Sequence, residues 1–379
     1  MSVVSSSAAA PDLTAGALAG EWNRAVAAVA AADEVCLACH VRPDGDALGS
    51  MLALGHALRA AARQSERRNE HTGEKQGALP GGRDGRSGRA QRVVASFGDE
   101  PMWIPDNLRF LPGLDLLTQP AQFPAEPSVM ITFDAASRDR LGVLAPNSAR
   151  AGELIVVDHH ASNTRFGTIH LVDPAAAATA VLTCELLDRL GLPLTQPAAM
   201  GLYTGLVTDT GSFKHSSTTV GVHALAARLL GTGIEPDVVA RELWDRAPFG
   251  YLRALSAALG RAVLEPAQAC GLGLVWTTVS RADRRAHGLA YDTVEPVIDV
   301  VRRTEEAEVA IVFKQDDDGA WQVSARSKGN VDVGRMCVEL GGGGHPMAAG
   351  FTSPWPVEEA VERMRELLAD GGAAAENGR

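Results

Sequence analysis

The sequence is short of long apolar runs, of cysteine and of positive charge, and each shortage closes off a class of protein. No apolar stretch approaches the roughly 18 to 20 residues that a membrane-spanning helix needs. With 46% hydrophobic residues the chain is therefore expected to be globular and cytoplasmic. Its start is rich in Ser and Ala but lacks the basic region and compact apolar core of a signal peptide, so residues 1–19 are expected to form a disordered tail. The five cysteines, Cys36, Cys39, Cys184, Cys270 and Cys337, are odd in number and scattered, which excludes a disulfide framework and suits a reducing compartment. Cys36 and Cys39 are spaced C-x-x-C, but residues three apart on a strand face opposite sides. They read as small buried apolar residues rather than half of a zinc site. Basic residues are outnumbered, 35 Lys and Arg against 46 Asp and Glu, for a net charge of −11. This excludes a protein that coats long nucleic acid by neutralising many phosphates. A short anionic substrate stays open, because metal ions and a few cations can meet its charge locally.

What the chain does have is a set of apolar runs that end in metal-seeking side chains. At 379 residues it is long enough for two domains. The run Leu154 to Val157 stops at Asp158-His159-His160, as a parallel strand does when it delivers polar groups at its carboxyl end. Val129 to Phe133 stops at Asp134, with Ser137-Arg138 in the loop beyond. Glu34 to Cys39 stops at His40 and leads into Pro43-Asp44-Gly45-Asp46, where Pro43 and Gly45 shape a turn. Alternate carboxylates there can serve neighbouring hard cations such as Mg²⁺ or Mn²⁺, or can cap the helix that follows from about Ala47 to Ala62. Asp209 ends a helical stretch, where it can cap the next segment or join the metal set. Repetition of this placement at three strand ends carries more weight than any one of them.

Residues 63–92 hold eight Lys or Arg, four Asp or Glu and six Gly, and are expected to be a disordered insertion. The first domain is placed at residues 20–235, a helical linker at 236–260, a second domain at 261–368, and a disordered tail at 369–379. The second domain alternates strands, Gly273 to Thr278, Glu308 to Phe313 and Trp321 to Ala325, with helical stretches, an α+β pattern. Ser324-Ala325-Arg326-Ser327 closes one strand with a cation and hydroxyls. Gly341 to Gly344, before His345, is either a flexible turn or bare backbone that can approach an anion.

Taken together, His40-x-x-Pro43-Asp44-x-Asp46-x-x-Gly49-Ser50, Asp134, Asp158-His159-His160, Asp209 and Gly-Gly-Gly-His345-x-x-Ala348-Ala349-Gly350 resemble the DHH phosphoesterase family over roughly residues 20 to 365. The insertion at 63–92 departs from that pattern and leaves the motifs intact. The resemblance implies an α/β fold: an N-terminal domain with a mostly parallel sheet flanked by helices, a smaller C-terminal α+β domain, and an active site in the cleft between them. It implies a metal set of His40, Asp44, Asp46, Asp134, His159 and Asp209 holding two Mn²⁺ ions, with Mg²⁺ or Co²⁺ as substitutes and Asp134 bridging. His160 would face the substrate phosphate and Asp158 would orient its neighbours. Arg326, Ser327, Gly343, Gly344 and His345 would bind substrate. The activity implied is hydrolysis of short RNA oligonucleotides and of the 3′-phosphate of phosphoadenosine phosphate. Cleavage of cyclic di-AMP or of its linear product is the alternative, and a nucleotide-binding regulator without turnover a further one. A homodimer is compatible with the resemblance, and no membrane partner is implied.

Overall fold

A computed structural model describes residues 18–72 and 91–371, apart from the side chains of residues 65, 66, 68–72, 370 and 371. The chain divides into two compact units, Met1–Asp245 and Arg246–Arg379.

In the first unit, helix α1 (Ala19–Ala31) leads into strand β1 (Glu34–Cys39), helix α2 (Gly45–Thr72) and strand β2 (Arg92–Phe97). Strand β3 (Val129–Phe133), the short α3 (Ala145–Ala149), β4 (Glu153–Asp158) and β5 (Ile169–Val172) follow, then α4 (Thr179–Arg189), α5 (Gln196–Asp209), α6 (Val220–Leu230) and α7 (Pro236–Trp244). The five strands are ordered β2-β1-β3-β4-β5 and every pairing is parallel. Near-continuous apolar runs suit such a sheet, because both of its faces are covered. One face, including Leu37, Cys39, Ile131 and Val157, packs with α2, α4 and α5 in the main core. The other, including Cys36, Met130 and Val156, packs with Leu141 and Leu144. Cys36 and Cys39 thus lie on opposite faces, both buried and unpaired.

Helices α2 and α5 cross at main-chain contact. A methyl group at Gly49 would lie 2.3 Å from the Gly201 carbonyl oxygen, and one at Gly201 would lie 2.5 Å from that of Gly49. Asp46 sits one turn before the contact on α2, and Asp209 ends α5. Gly49→Ala therefore has to push apart the two helices that carry these acids. The expected cost is about 2 to 3 kcal/mol, the upper part of the range for overpacking, with a larger fractional loss of turnover. Chemical unfolding beside an activity assay checks both, and a variant as stable and active as wild type would mean that the helices part freely.

The second unit comprises α8 (Phe249–Gly260), β6 (Val263–Glu265), β7 (Leu274–Val279), α9 (Arg281–Arg285), α10 (Val297–Val301), β8 (Val309–Gln315) and β9 (Trp321–Ser327). It ends with α11 (Val333–Glu339), β10 (Gly343–His345), β11 (Ala348–Ser353) and α12 (Val357–Gly371). Its sheet, ordered β10-β11-β9-β8-β7-β6, is antiparallel except between β7 and β8. Helices α11 and α12 cover one face, α8 and α10 the other. The α/β class expected from the sequence is the one observed.

Several boundaries fall elsewhere than the sequence suggested. Helix α2 continues through residues 63–72, the beginning of the expected disordered insertion. Its Arg, Gln and Glu residues are good helix formers, and no Gly or Pro interrupts them before Gly73; high charge marked a solvated helix. At the other end of the segment Gln91 is anchored, its side-chain amide donating to the Val29 and Ala32 carbonyls at 2.7 and 2.9 Å. Residues 73–90 lie outside the described residues, as do 1–17 and 372–379 of the expected tails, while Ala19 is helical and α12 runs to Gly371. The expected linker at 236–260 is two helices with separate loyalties. Val239 and Leu243 of α7 belong to the first core, and Tyr251, Ala254 and Ala258 of α8 to a core of the second unit. No described helix is long and apolar enough to cross a membrane.

Candidate metal centre

The strand order of the first unit reverses direction at β1 and β3, and open α/β sheets bind ligands at the carboxyl ends of strands at such a switch point. Register sharpens this. Cys39 of β1 is matched to Phe133 of β3, and Phe133 to Val157 of β4. The next residues, His40, Asp134 and Asp158, thus leave the sheet side by side.

Asp134 is the hub. It is 3% exposed and has a φ of +57°, a left-handed conformation that Asp tolerates better than most residues. His40 Nε2 is 3.5 Å from its Oδ2, while His159 Nε2 and His160 Nδ1 are each 3.6 Å from its Oδ1. On the β1 side, Asp44 Oδ1 lies 3.8 Å from His40 Nε2. On the other side, Asp209 Oδ2 at the end of α5 is 3.0 Å from His159 Nε2. Among the described residues, potential ligand atoms converge within 4.8 Å in three groups: His40 with Asp44 and Asp134; Asp134 with His159 and His160; and Asp46 with His159 and Asp209.

Surrounding bonds aim these groups. His40 Nδ1 is 2.8 Å from the Val41 carbonyl and 3.2 Å from Arg140 Nη2. One nitrogen cannot both donate to the first and accept from the second; the shorter contact assigns it the proton, leaving Nε2 to face the acids. His159 Nδ1 is placed the same way, 3.2 Å from the Ala176 carbonyl. Asp158 is fully buried, and its Oδ1 accepts from the His159 and His160 backbone N–H groups at 2.9 and 3.3 Å and from the His160 ring at 2.7 Å. A carboxylate held this way fixes the ring it binds. Asp46, also fully buried, accepts from the Thr179 and Ala180 N–H groups at 2.5 and 2.9 Å. It caps α4 from outside, because Ala178 at the N-cap has no side-chain acceptor. Capping and metal ligation are compatible, since an ionised carboxylate has about four lone-pair sites.

The electrostatics call for cations. Burial opposes charge on His40 and His159, yet the carboxylates around them outweigh it and raise both pKa values to about 10. Burial together with the neighbouring acids raises Asp46 well above the ordinary carboxylate range and Asp209 to about 6. Burial would raise Asp158 as well, but its bonds from His160 and Asn163 hold it below the usual value. Among the described residues no Lys or Arg pairs with Asp46, Asp134 or Asp209. Buried acids are tolerated when paired or when they coordinate metal, and carboxylate oxygen with imidazole nitrogen suits divalent ions such as Mn²⁺, Mg²⁺ or Zn²⁺. The residues present fit such ions.

Spacing gave no signal for three supports of this centre. Thr179 donates its hydroxyl to Asp134 Oδ1 at 2.8 Å, Asn163 donates Nδ2 to Asp158 Oδ2 at 2.5 Å, and Ala176 supplies only a carbonyl.

In the second unit, His345 is matched to Ala348 and Ala348 to Arg326, so His345 and Arg326 share one sheet face with a methyl group between them. Gly343 and Ser324, two residues earlier on their strands, share it too. Arg326 is largely buried. Its one side-chain hydrogen bond is to its own neighbour, the Ala325 carbonyl at 3.0 Å, and among the described residues it has no ion pair. Burial pulls its pKa below the ordinary value, with Asp299 opposing. The glycine run is partly strand, because a Cβ at Gly344 would come within 2.5 Å of Ala349 Cα, an approach only glycine allows; one at Gly343 would meet nothing. Ser327 is not brought to this face. It is 1% exposed and its hydroxyl donates to Glu308 at 2.8 Å.

A parallel sheet whose switch point presents a cluster of aspartates and histidines is a candidate divalent-metal site of the kind that hydrolases use. The chain belongs to the DHH family of phosphoesterases. The model of the DHH family N-terminal domain matches residues 34–206, and that of the DHHA1 domain matches residues 278–370. The bifunctional oligoribonuclease and PAP phosphatase NrnA of Thermus thermophilus is 32% identical over 92% of this chain and 94% of its own length. A probable NrnA of Streptococcus mutans is 24% identical over 90% of this chain and 96% of its own. The crystal structure of an exopolyphosphatase-related protein from Bacteroides fragilis superposes with a TM-score of 0.79 at 22% identity, covering 93% of this chain and 96% of that one.

Proposed function

We propose that this protein hydrolyses short nucleotides, namely RNA of two to a few residues and the 3′-phosphate of phosphoadenosine phosphate, with two Mn²⁺ ions. The observation that carries the reading is the position of Asp134 in both the His40 and Asp44 group and the His159 and His160 group. One ion would be held by His40, Asp44 and Asp134, the other by Asp46, Asp134, His159 and Asp209. Such a pair supplies a Lewis acid for a phosphoryl oxygen and lowers the pKa of a bound water. The chain's own residues do the rest. Asp134 couples the two halves of the site, Val41 and Ala176 fix the ring orientations of His40 and His159, and Asp158 holds His160 toward the reacting phosphate. In the second unit Arg326, Gly343, Gly344 and His345 would grip the nucleotide, since Arg can meet a phosphate with two parallel bonds. The names of the Thermus and Streptococcus relatives support this choice of substrates.

A product time course on di-adenylate RNA, phosphoadenosine phosphate and cyclic di-AMP with Mn²⁺ tests the assignment. Turnover of the first two is expected. Turnover of cyclic di-AMP alone would transfer the site to cyclic dinucleotides, and no turnover of any would leave a nucleotide-binding regulator.

Chelation is expected to silence hydrolysis and to lower the thermal midpoint, because ions that bind only the folded state stabilise it by mass action. Mn²⁺ should restore both, and Mg²⁺ should do so less well where imidazole is a ligand. Full activity in metal-free protein, verified by elemental analysis, would overturn the metal reading.

A further inference from the structure

Glu308, just before β8, is a 7% exposed carboxylate whose side-chain hydrogen bonds, among the described residues, all go to one turn. Its Oε1 accepts from the Ser327 hydroxyl at 2.8 Å and from the Asn330 backbone N–H at 2.8 Å, and its Oε2 accepts from Asn330 Nδ2 at 2.9 Å. Its backbone carbonyl accepts from the Lys328 N–H at 3.1 Å. The turn is closed from within by Gly329 N–H donating to the Ser327 hydroxyl at 3.0 Å, and Lys328 Nζ is committed to the Thr304 carbonyl at 2.6 Å. A carboxylate so enclosed is ordinarily paired with a cation. Glu308 has no Lys or Arg ion pair among the described residues and uses its charge to fasten residues 327–330 instead.

That turn begins one residue after Arg326. Termini of regular elements are where local opening begins, and among the described residues the only hydrogen bond of the Arg326 guanidinium is the one it donates to the Ala325 carbonyl, with Asp299 acting on it at longer range. Its direction therefore depends on its backbone, which pairs with Ala348 on one side and Ala310 on the other, and whose exit from the sheet the anchored turn fixes. Ser327 and Arg326 then divide the labour: alternate residues of a strand face opposite ways, so the serine is tied down on one face while the arginine stands on the other.

We infer that Glu308 is a positioning residue for nucleotide binding, acting through the Ser327–Asn330 turn to hold Arg326 in place without touching the substrate. The inference rests on the proposed reading of Arg326 as part of the grip. Glu308 has no role in the metal centre, so its removal should show on a nucleotide and hardly on a simple diester.

The test measures kcat and KM on di-adenylate and on bis-p-nitrophenyl phosphate for Glu308→Ala, Glu308→Gln, Arg326→Ala and the double variant Glu308→Ala with Arg326→Ala. Glu308→Ala is expected to raise KM for di-adenylate about tenfold, the scale of lost hydrogen bonds to a charged group, with turnover of the simple diester changed by less than about twofold on the same scale. Glu308→Gln should recover most of the loss. Its amide oxygen still accepts from Ser327 and from Asn330 N–H, and the Asn330 amide can turn over to accept from its nitrogen. In the Arg326→Ala background the loss of Glu308 should cost little more, because two residues acting through one contact are not additive. Additive losses, or equal losses on both substrates, would overturn the inference. If Glu308→Ala does not fold, Asn330→Ala carries the same cycle with Arg326→Ala, and Glu308→Gln remains the conservative control. Absence of di-adenylate hydrolysis by the wild type would defeat the functional reading and this inference with it, whereas an active wild type with unaffected Glu308 variants would defeat the inference alone.

Discussion

Asp134→Asn and Asp134→Ala are each expected to hydrolyse at less than about a thousandth of the wild-type rate, equivalent to about 4 kcal/mol of lost transition-state stabilisation. Both variants remove the carboxylate that lies within reach of His40, His159 and His160 at once. They should differ in stability. Alanine at a φ of +57° bears the left-handed penalty of about 1 to 2 kcal/mol, whereas asparagine tolerates that conformation and still accepts from the Thr179 hydroxyl. Against either cost stands relief of repulsion, since Asp134 raises the pKa of buried Asp46 and of Asp209. The same acid also attracts His40 and His159, so in metal-free buffer the expected order is the Asn variant unfolding above the Ala variant. The pattern of a folded, inactive Asn variant is what a functional acid predicts, because such sites are strained in favour of activity. Near wild-type turnover by Asp134→Asn would end the shared-ligand assignment.

The second large effect is expected at Arg326. Remote contacts position the reacting centre of an extended substrate but do little for an ester small enough to sit wholly between the metal ligands. Arg326→Ala should weaken di-adenylate hydrolysis by about 2 kcal/mol in kcat/KM, or about thirtyfold, the scale of a lost charged hydrogen bond. Bis-p-nitrophenyl phosphate should be hydrolysed nearly as before. His345→Ala, on the same sheet face, should follow it in direction. Equal losses on the two substrates, or efficient cleavage of long RNA by the wild type, would show that this face does not select.

The sequence showed most clearly what a strand end must show. His40, Asp134 and Asp158 each follow a run of buried, mostly apolar strand residues, and the parallel register of those strands brings their ends together. Asp209 was legible as a helix end, and Asp44 and Asp46 as caps of the helix after them or as ligands; in the structure Asp44 accepts from the N–H groups that open α2, while Asp46 caps α4 instead and lies with His159 and Asp209. What was hidden was what depends on side-chain direction or on distant chain. Ser327 looked like a partner of Arg326 because the two are adjacent, yet adjacency on a strand separates them. Glu308 gave no sign of its task, since its targets lie some twenty residues on. The insertion was misread at its start because charge density marks solvation, and a solvated segment of good helix formers continues a helix that has already been nucleated.

The contact between Gly49 and Gly201 also bears on how such a centre survives change in its own core. Where helices meet through side chains, every exchange of a leucine for a valine resets their separation by some fraction of an ångström. Here the separation is set by a carbonyl against an α-carbon, a dimension common to all polypeptides. The surrounding apolar residues can drift in volume while Asp46 and Asp209 keep their span, so the ligand frame is insulated from the composition of the core that supports it. The same rigidity makes the pair of glycines a poor place to begin any redesign of the site, since neither can gain a side chain alone without moving both acids together.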